Sequence, residues 1–179
     1  MTDPPLVVKT ILIPLVLIAA ICDIRTRRIP NWLTLAGVFA GVVVNAWRLG
    51  GNGLKMAGLG FGVALLIYLP LFWLRAVGGG DVKLMAAAGA LVGPGNWVAI
   101  FALSGVTGGL VAVGILLRRG RLGRALSNAG FILGELARFR APYARKSELD
   151  IGHPRAVTLP HAVAIAIGSL LFLLLAAPE

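Results

Sequence analysis

Acidic side chains are scarce in this chain and cysteine is almost absent. Among 179 residues there are seven Asp+Glu, two histidines and a single cysteine, Cys22. One cysteine excludes an intramolecular disulfide and a cysteine-cluster zinc site. Charged residues amount to 13%, about half the share of roughly 25% usual in a soluble domain. What fills the space is apolar: 58% hydrophobic residues and a mean hydropathy of +0.90. Several apolar runs approach or exceed the roughly 20 residues needed to cross a bilayer. The composition therefore predicts an integral membrane protein, one helical bundle over residues 1–179 with no separate soluble domain.

The runs predict an all-α, polytopic membrane helix bundle with about six transmembrane helices, near 5–22, 31–47, 54–74, 82–92, 96–117 and 158–176. Glycine-rich turns separate several of them, at 48–53, at 75–81 and at 93–95. The fourth run is short, about 16 Å as a helix, so it starts inside the membrane or breaks at Gly93-Pro94-Gly95. The first run resembles a signal peptide only superficially. Its start is not basic, and it ends at the charged Asp23–Arg28 segment instead of a small-residue cleavage site. The reading is a retained first helix.

A net charge of +10 raises the question of nucleic acid, but the basic residues sit in short clusters between apolar runs, as topology signals do. Nucleic acid is therefore not expected as a partner. With the 23–30 connector in the cytoplasm, 14 of the 17 Lys+Arg fall on that side. Only Lys9, Arg48 and Lys55 fall on the other, so the positive-inside rule puts both termini outside the cytoplasm. In the long 118–157 loop, Leu122, Leu126, Ala129, Leu133 and Leu136 recur at helical steps, while Arg121, Arg124, Glu135 and Arg138 lie off that stripe. This predicts an amphipathic helix in the headgroup layer, with membrane lipid as its partner; docking of a protein is the other reading.

Of the seven acidic residues, Asp3 and Glu179 are near the termini, and Glu135, Glu148 and Asp150 belong to the long loop. That leaves Asp23 and Asp81, each at the end of an apolar run and both on the cytoplasmic side. Ionisable groups at membrane depth are costly and point to function. Two carboxyls sharing a site keep one proton between them. The ionised one takes a proton from water as it attacks a peptide carbonyl; the protonated one polarises that carbonyl and helps the amine leave. Each also has a plain structural reading: Asp81 as a helix N-cap, Asp23 as an interfacial residue paired with Arg25 or Arg27. The glycines Gly78, Gly79 and Gly80 weigh towards function, since a run without side chains lets backbone pass close to an extended substrate.

Gly78-Gly79-Gly80-Asp81 fits the Gly-x-Gly-Asp motif of intramembrane aspartyl proteases. The longer GGGDVKLMAA (Gly78–Ala87) resembles the second catalytic motif of the type IV prepilin peptidases, and Asp23-Ile-Arg-Thr-Arg-Arg-Ile-Pro-Asn31 resembles their first. Leu159-Pro160-His161-Ala-Val-Ala-Ile-Ala-Ile-Gly168 is similar to the start of the family's last helix, although members often carry Tyr or Phe followed by Gly where this chain has His161 and Ala162. The nearest likeness is to the short Tad/Cpa-type branch, which serves pilus assembly by processing Flp-type pilins. The resemblance implies a bacterial inner-membrane aspartic endopeptidase. It would cut the basic leader from a prepilin at the cytoplasmic face, with Asp23 and Asp81 as the catalytic pair and both termini periplasmic. Arg27, Pro30, Asn31 and Lys83 fall within the motifs as substrate or support residues; Asn31 is expected to cap the second helix. Larger relatives carry a cytoplasmic insertion with paired Cys-x-x-Cys motifs and also methylate the new pilin terminus. That insertion is missing here, so neither methylation nor a zinc ion or other cofactor is expected.

Cys22 reads as a small buried packer, His153 and His161 as interfacial residues, and the small residues Gly58, Gly60, Gly62, Gly105, Gly108 and Gly109 as sites of close helix packing. A signal-peptide-peptidase-like enzyme is disfavoured because Cys22 stands where that family has Tyr before the first Asp. The readings from other classes are a small ion-coupled transporter, which would need carboxylates near mid-membrane, and a non-catalytic pilus or secretion assembly subunit.

Overall fold

The computed structural model describes residues 3–118, 120, 123 and 161–176, and its ordered elements are helical. They are α1 (Leu6–Thr26), α2 (Asn31–Trp73), α3 (Gly79–Arg118) and α4 (His161–Leu175). The amphipathic helix expected in the 118–157 loop, and His153 with it, lies outside the described residues.

Helix α1 runs a turn further than the expected end at residue 22. The Thr26 hydroxyl donates to the Cys22 carbonyl at 2.9 Å, and the chain leaves the helix only at Arg27, which is left-handed at φ 54° and donates its N–H to the Asp23 carbonyl. The polar residues thus finish the helix instead of breaking it. Val8, Leu12, Leu15, Val16, Ala19, Ala20 and Asp23 recur at three- to four-residue steps on its buried face. The carboxylate of Asp23 therefore points inward with the core.

Helices α2 and α3 are each broken by one glycine whose backbone an L-residue rarely adopts: Gly50 (φ 55°, ψ −132°) and Gly93 (φ 76°, ψ 172°). Both breaks are reversals. A Cβ on Gly53 would collide with the carbonyl oxygen of Asn45, although eight residues of straight helix would separate them by about 12 Å. Likewise the Trp97 indole N–H donates to the Met85 carbonyl at 2.9 Å, where a straight helix would hold the two about 18 Å apart. The expected glycine-rich turns at 48–53 and 93–95 have each contracted to a single residue. The starts of α2, α3 and α4 and the end of α1 are thereby gathered at one end of the bundle.

The segment 79–92 is its centre. From Val82 to Gly93 every residue except Lys83 is buried, which explains how so short an apolar run is accommodated. It is wedged between the two halves of α2. A Cβ at Gly41 would stand 2.7 Å from the Ala90 carbonyl carbon, and Gly60 and Gly89 meet backbone to backbone. On the far side, Gly168 of α4 lies on Ser104 of α3. Of the glycines expected to pack closely, only Gly60 and Gly108 have a neighbour at contact distance; Gly58, Gly62, Gly105 and Gly109 face open space. The break at Gly93 orphans the last carbonyls of the central segment. Buried Asn45 answers this, sharing its amide N–H groups among the Gly41, Ala90 and Leu91 carbonyls, each at 3.0 Å.

The outer surface is apolar. Trp32, Trp47 and Trp73 are 66%, 81% and 76% exposed, in company with Leu35, Phe39, Leu66 and Leu174. Trp32 and Trp73 mark the end of the bundle where α2 begins and finishes, and Trp47 lies beside the reversal at the other. About 23 Å of helix separates Trp32 from Trp47, somewhat less than the roughly 30 Å of a bilayer's hydrocarbon core, and tryptophan favours its two interfaces. α1, α2 and α3 are by length and composition long and apolar enough to cross a membrane.

Because the Gly60–Gly89 contact leaves no room for a side chain, Gly60→Leu is expected to lower stability by about 1–3 kcal/mol or more. Gly62→Leu, facing open space, should leave it within about 0.5 kcal/mol. Thermal unfolding of the two variants in the same detergent distinguishes them.

Candidate active site

Both aspartates are buried, each 8% exposed, and each is held by a backbone N–H. Asp81 is the third residue of α3, and its Oδ2 accepts from the Gly78 N–H at 3.2 Å. An acid in the first helical turn reaching back to the residue before the helix satisfies a donor that has no intrahelical partner. Asp81 is thus not at the N-cap position itself but reaches back to it from the third residue of the helix. Asp23 Oδ2 accepts from the Ala162 N–H, in the first turn of α4, at 3.1 Å. Asp81 lies within electrostatic reach of Asp23 and His161, and Tyr68 within reach of Asp81.

The two carboxyls line one open cleft of about 520 Å³ at the end of the bundle, with Arg27, Arg28, Ile29, Pro30, Asn31 and Gly78–Gly80. The structure thus brings together every residue singled out in the two motifs except Lys83. That side chain ties the motifs to one another: its Nζ donates to Asn31 Oδ1 at 2.9 Å. Asn31 is therefore not the cap of α2. The cap position is Pro30, with no side-chain capping bond, and the Asn31 amide is turned towards α3.

The glycines line the cleft, and one of them also has a local packing task. Gly79 and Gly80 already belong to the first turn of α3, and a Cβ on Gly80 would stand 3.2 Å from Ile29 Cβ. Glycine at position 80 lets the Ile29-Pro30 connector close over the start of α3. Gly78 is open except towards Asp81 Oδ2.

Sequence reasoning missed Ala162, Tyr68 and the position of His161. Ala162 acts through its backbone, and no side chain announces that; Pro160 just before a final apolar run was the one available sign of a helix start facing the site. Cys22 is half-buried and free. Among the described residues no three His, Cys, Asp or Glu side chains come together as a metal site would need.

Comparison with known proteins matches residues 10–113 to the type IV leader peptidase family. The match spans α1, α2 and most of α3, and so includes both aspartates and every other residue of the cleft. No curated protein and no solved structure matches the chain. A family match over more than half the chain, laid across two buried carboxyls in one cleft, places the protein in the type IV leader peptidase family and makes it a peptidase.

Proposed function

We propose that the chain is an aspartic endopeptidase that removes the basic leader from prepilin-like precursors at the cytoplasmic face of the bacterial inner membrane. The observation that carries this is the meeting of Asp23 and Asp81, from two different helices, in a cleft open to one end of the bundle. Water bound between the carboxyls gives its proton to the ionised one as its oxygen attacks the scissile carbonyl. The protonated one donates to the carbonyl oxygen and, as the tetrahedral intermediate collapses, a proton passes to the departing amine. Lys83 and Asn31 hold the two motifs in register, and the Arg27–Asn31 connector with Gly78–Gly80 forms the wall against which the precursor lies.

The reversals at Gly50 and Gly93 support six crossings, with the whole chain as one membrane domain. Arg25, Arg27, Arg28, Arg75 and Lys83 all lie at the cleft's end, and Arg48 and Lys55 at the other, which supports a cytoplasmic cleft and periplasmic termini. The precursor is of the Flp type handled by the Tad/Cpa branch, and methylation of the product is not part of the activity. Both carboxyls sit in the first or last turn of their helices, which speaks against an ion relay at mid-membrane.

Co-expression with a prepilin-like precursor tests this by gel shift. Wild type should convert the precursor, whereas Asp23→Asn and Asp81→Asn should each lower conversion by at least about a thousandfold while accumulating normally in the membrane. Cleavage at wild-type rate by either variant rules the assignment out. The Ile29–Gly80 contact gives a second check. Gly80→Val should cut kcat/KM roughly tenfold or more by driving the connector away from α3, and adding Ile29→Ala in the same chain should recover a large part of that loss.

A further inference from the structure

α4 lies beyond the matched residues, yet it supplies one of the two backbone donors that hold the aspartates. Ala162 is completely buried, and its N–H to Asp23 Oδ2 joins residues 139 positions apart. The first N–H groups of any helix have no intrahelical acceptor, and they carry the positive end of its dipole. A carboxylate placed there gains a charge-assisted bond, stronger for being out of water. The preceding residue of the same turn, His161, is within electrostatic reach of Asp81. One turn of α4 therefore bonds one member of the pair and lies within electrostatic reach of the other.

Building on the proposed function, we infer that the first turn of α4 is the positioning element of the active site: the Ala162 N–H fixes the edge of the Asp23 carboxylate that faces the cleft. Ala162 is a positioning residue, since its N–H acts through Asp23. It acts by denying Asp23 the rotamers in which its free oxygen leaves Asp81. The side chain at this position is incidental and the backbone donor is not.

The test uses the full-length enzyme in detergent with a synthetic precursor carrying a basic leader, a glycine-terminated junction and an apolar stem. Ala162→Pro deletes the N–H at a helical position where proline is tolerated. It should lower kcat by roughly 10- to 100-fold, the worth of a hydrogen bond to a charged group, with KM within about twofold of wild type. Ala162→Gly keeps the N–H and should retain most of kcat. Val163→Pro puts the same ring one residue on and should also retain it. Should the proline variant not accumulate, lactic acid at position 162 replaces the amide by an ester, removing the N–H with the methyl group in place, and the same loss is expected. Asp23→Asn is the reference for structure, because it keeps an acceptor for Ala162 and should melt with wild type while inactive. Wild-type kcat without the N–H, an equal loss in Val163→Pro, or a change confined to KM overturns the inference. If Asp23→Asn and Asp81→Asn are inactive in that case, the protease assignment stands and only the role of α4 falls. Cleavage by either of those two variants overturns both.

Discussion

The bundle depends on the direct contact of the Gly60 and Gly89 backbones. Apolar side chains gain nothing by leaving lipid for one another, so helices in a membrane associate where their backbones can approach closely and pack over a large area. Here the central segment 79–92 is gripped on both sides, by Gly41 at Ala90 and by Gly60 at Gly89. Both contacts are possible only because α2 doubles back at Gly50. A side chain at either contact would lift one half of α2 away from the centre and carry the start of α3 with it. The place of Asp81, eight residues before Gly89, is therefore set by packing deep in the bundle.

Close backbone packing brings its own cost, which Asn45 offsets. When the central segment ends at Gly93, its last carbonyls have no water to turn to, and an unsatisfied carbonyl in a dry interior is expensive. A single amide side chain from the neighbouring half of α2 reaches the Ala90 and Leu91 carbonyls and so lets the reversal occur inside the bundle. The reversal in turn frees Trp97 to stack on Phe101 and to meet Tyr68 edge-on. Tyr68 thereby links this aromatic packing to the electrostatic surroundings of Asp81.

Much of this was legible in the sequence wherever side-chain type carries the information. Asp23 and Asp81 stood out because carboxylates beside apolar runs are rare, and the reversals at Gly50 and Gly93 lie within the glycine clusters that marked them. What was not legible depends on which face of a helix a residue occupies in the assembled bundle. Gly60 and Gly62 look alike in the chain, yet only Gly60 meets another backbone. Asn31 has the composition of a cap, but Lys83 of a distant helix claims its side chain. The extension of α1 past Asp23 ends only at a left-handed Arg27, a conformation arginine seldom signals.

The aspartates are held by the same device, a backbone N–H at a helix start, but from different distances along the chain. Asp81 takes its donor from Gly78, three residues away, so its geometry forms as soon as the first turn of α3 does. Asp23 takes its donor from α4, across nearly the whole sequence, so its geometry waits for the last helix to dock. Burying a carboxylate without a donor is costly, and until α4 arrives Asp23 has reason to turn towards solvent. The Asp81 carboxyl is therefore oriented locally and the Asp23 carboxyl by tertiary assembly. A chain with α1 to α3 in place would hold a formed Asp81 and an unset Asp23, which ties completion of the cleft to completion of the bundle.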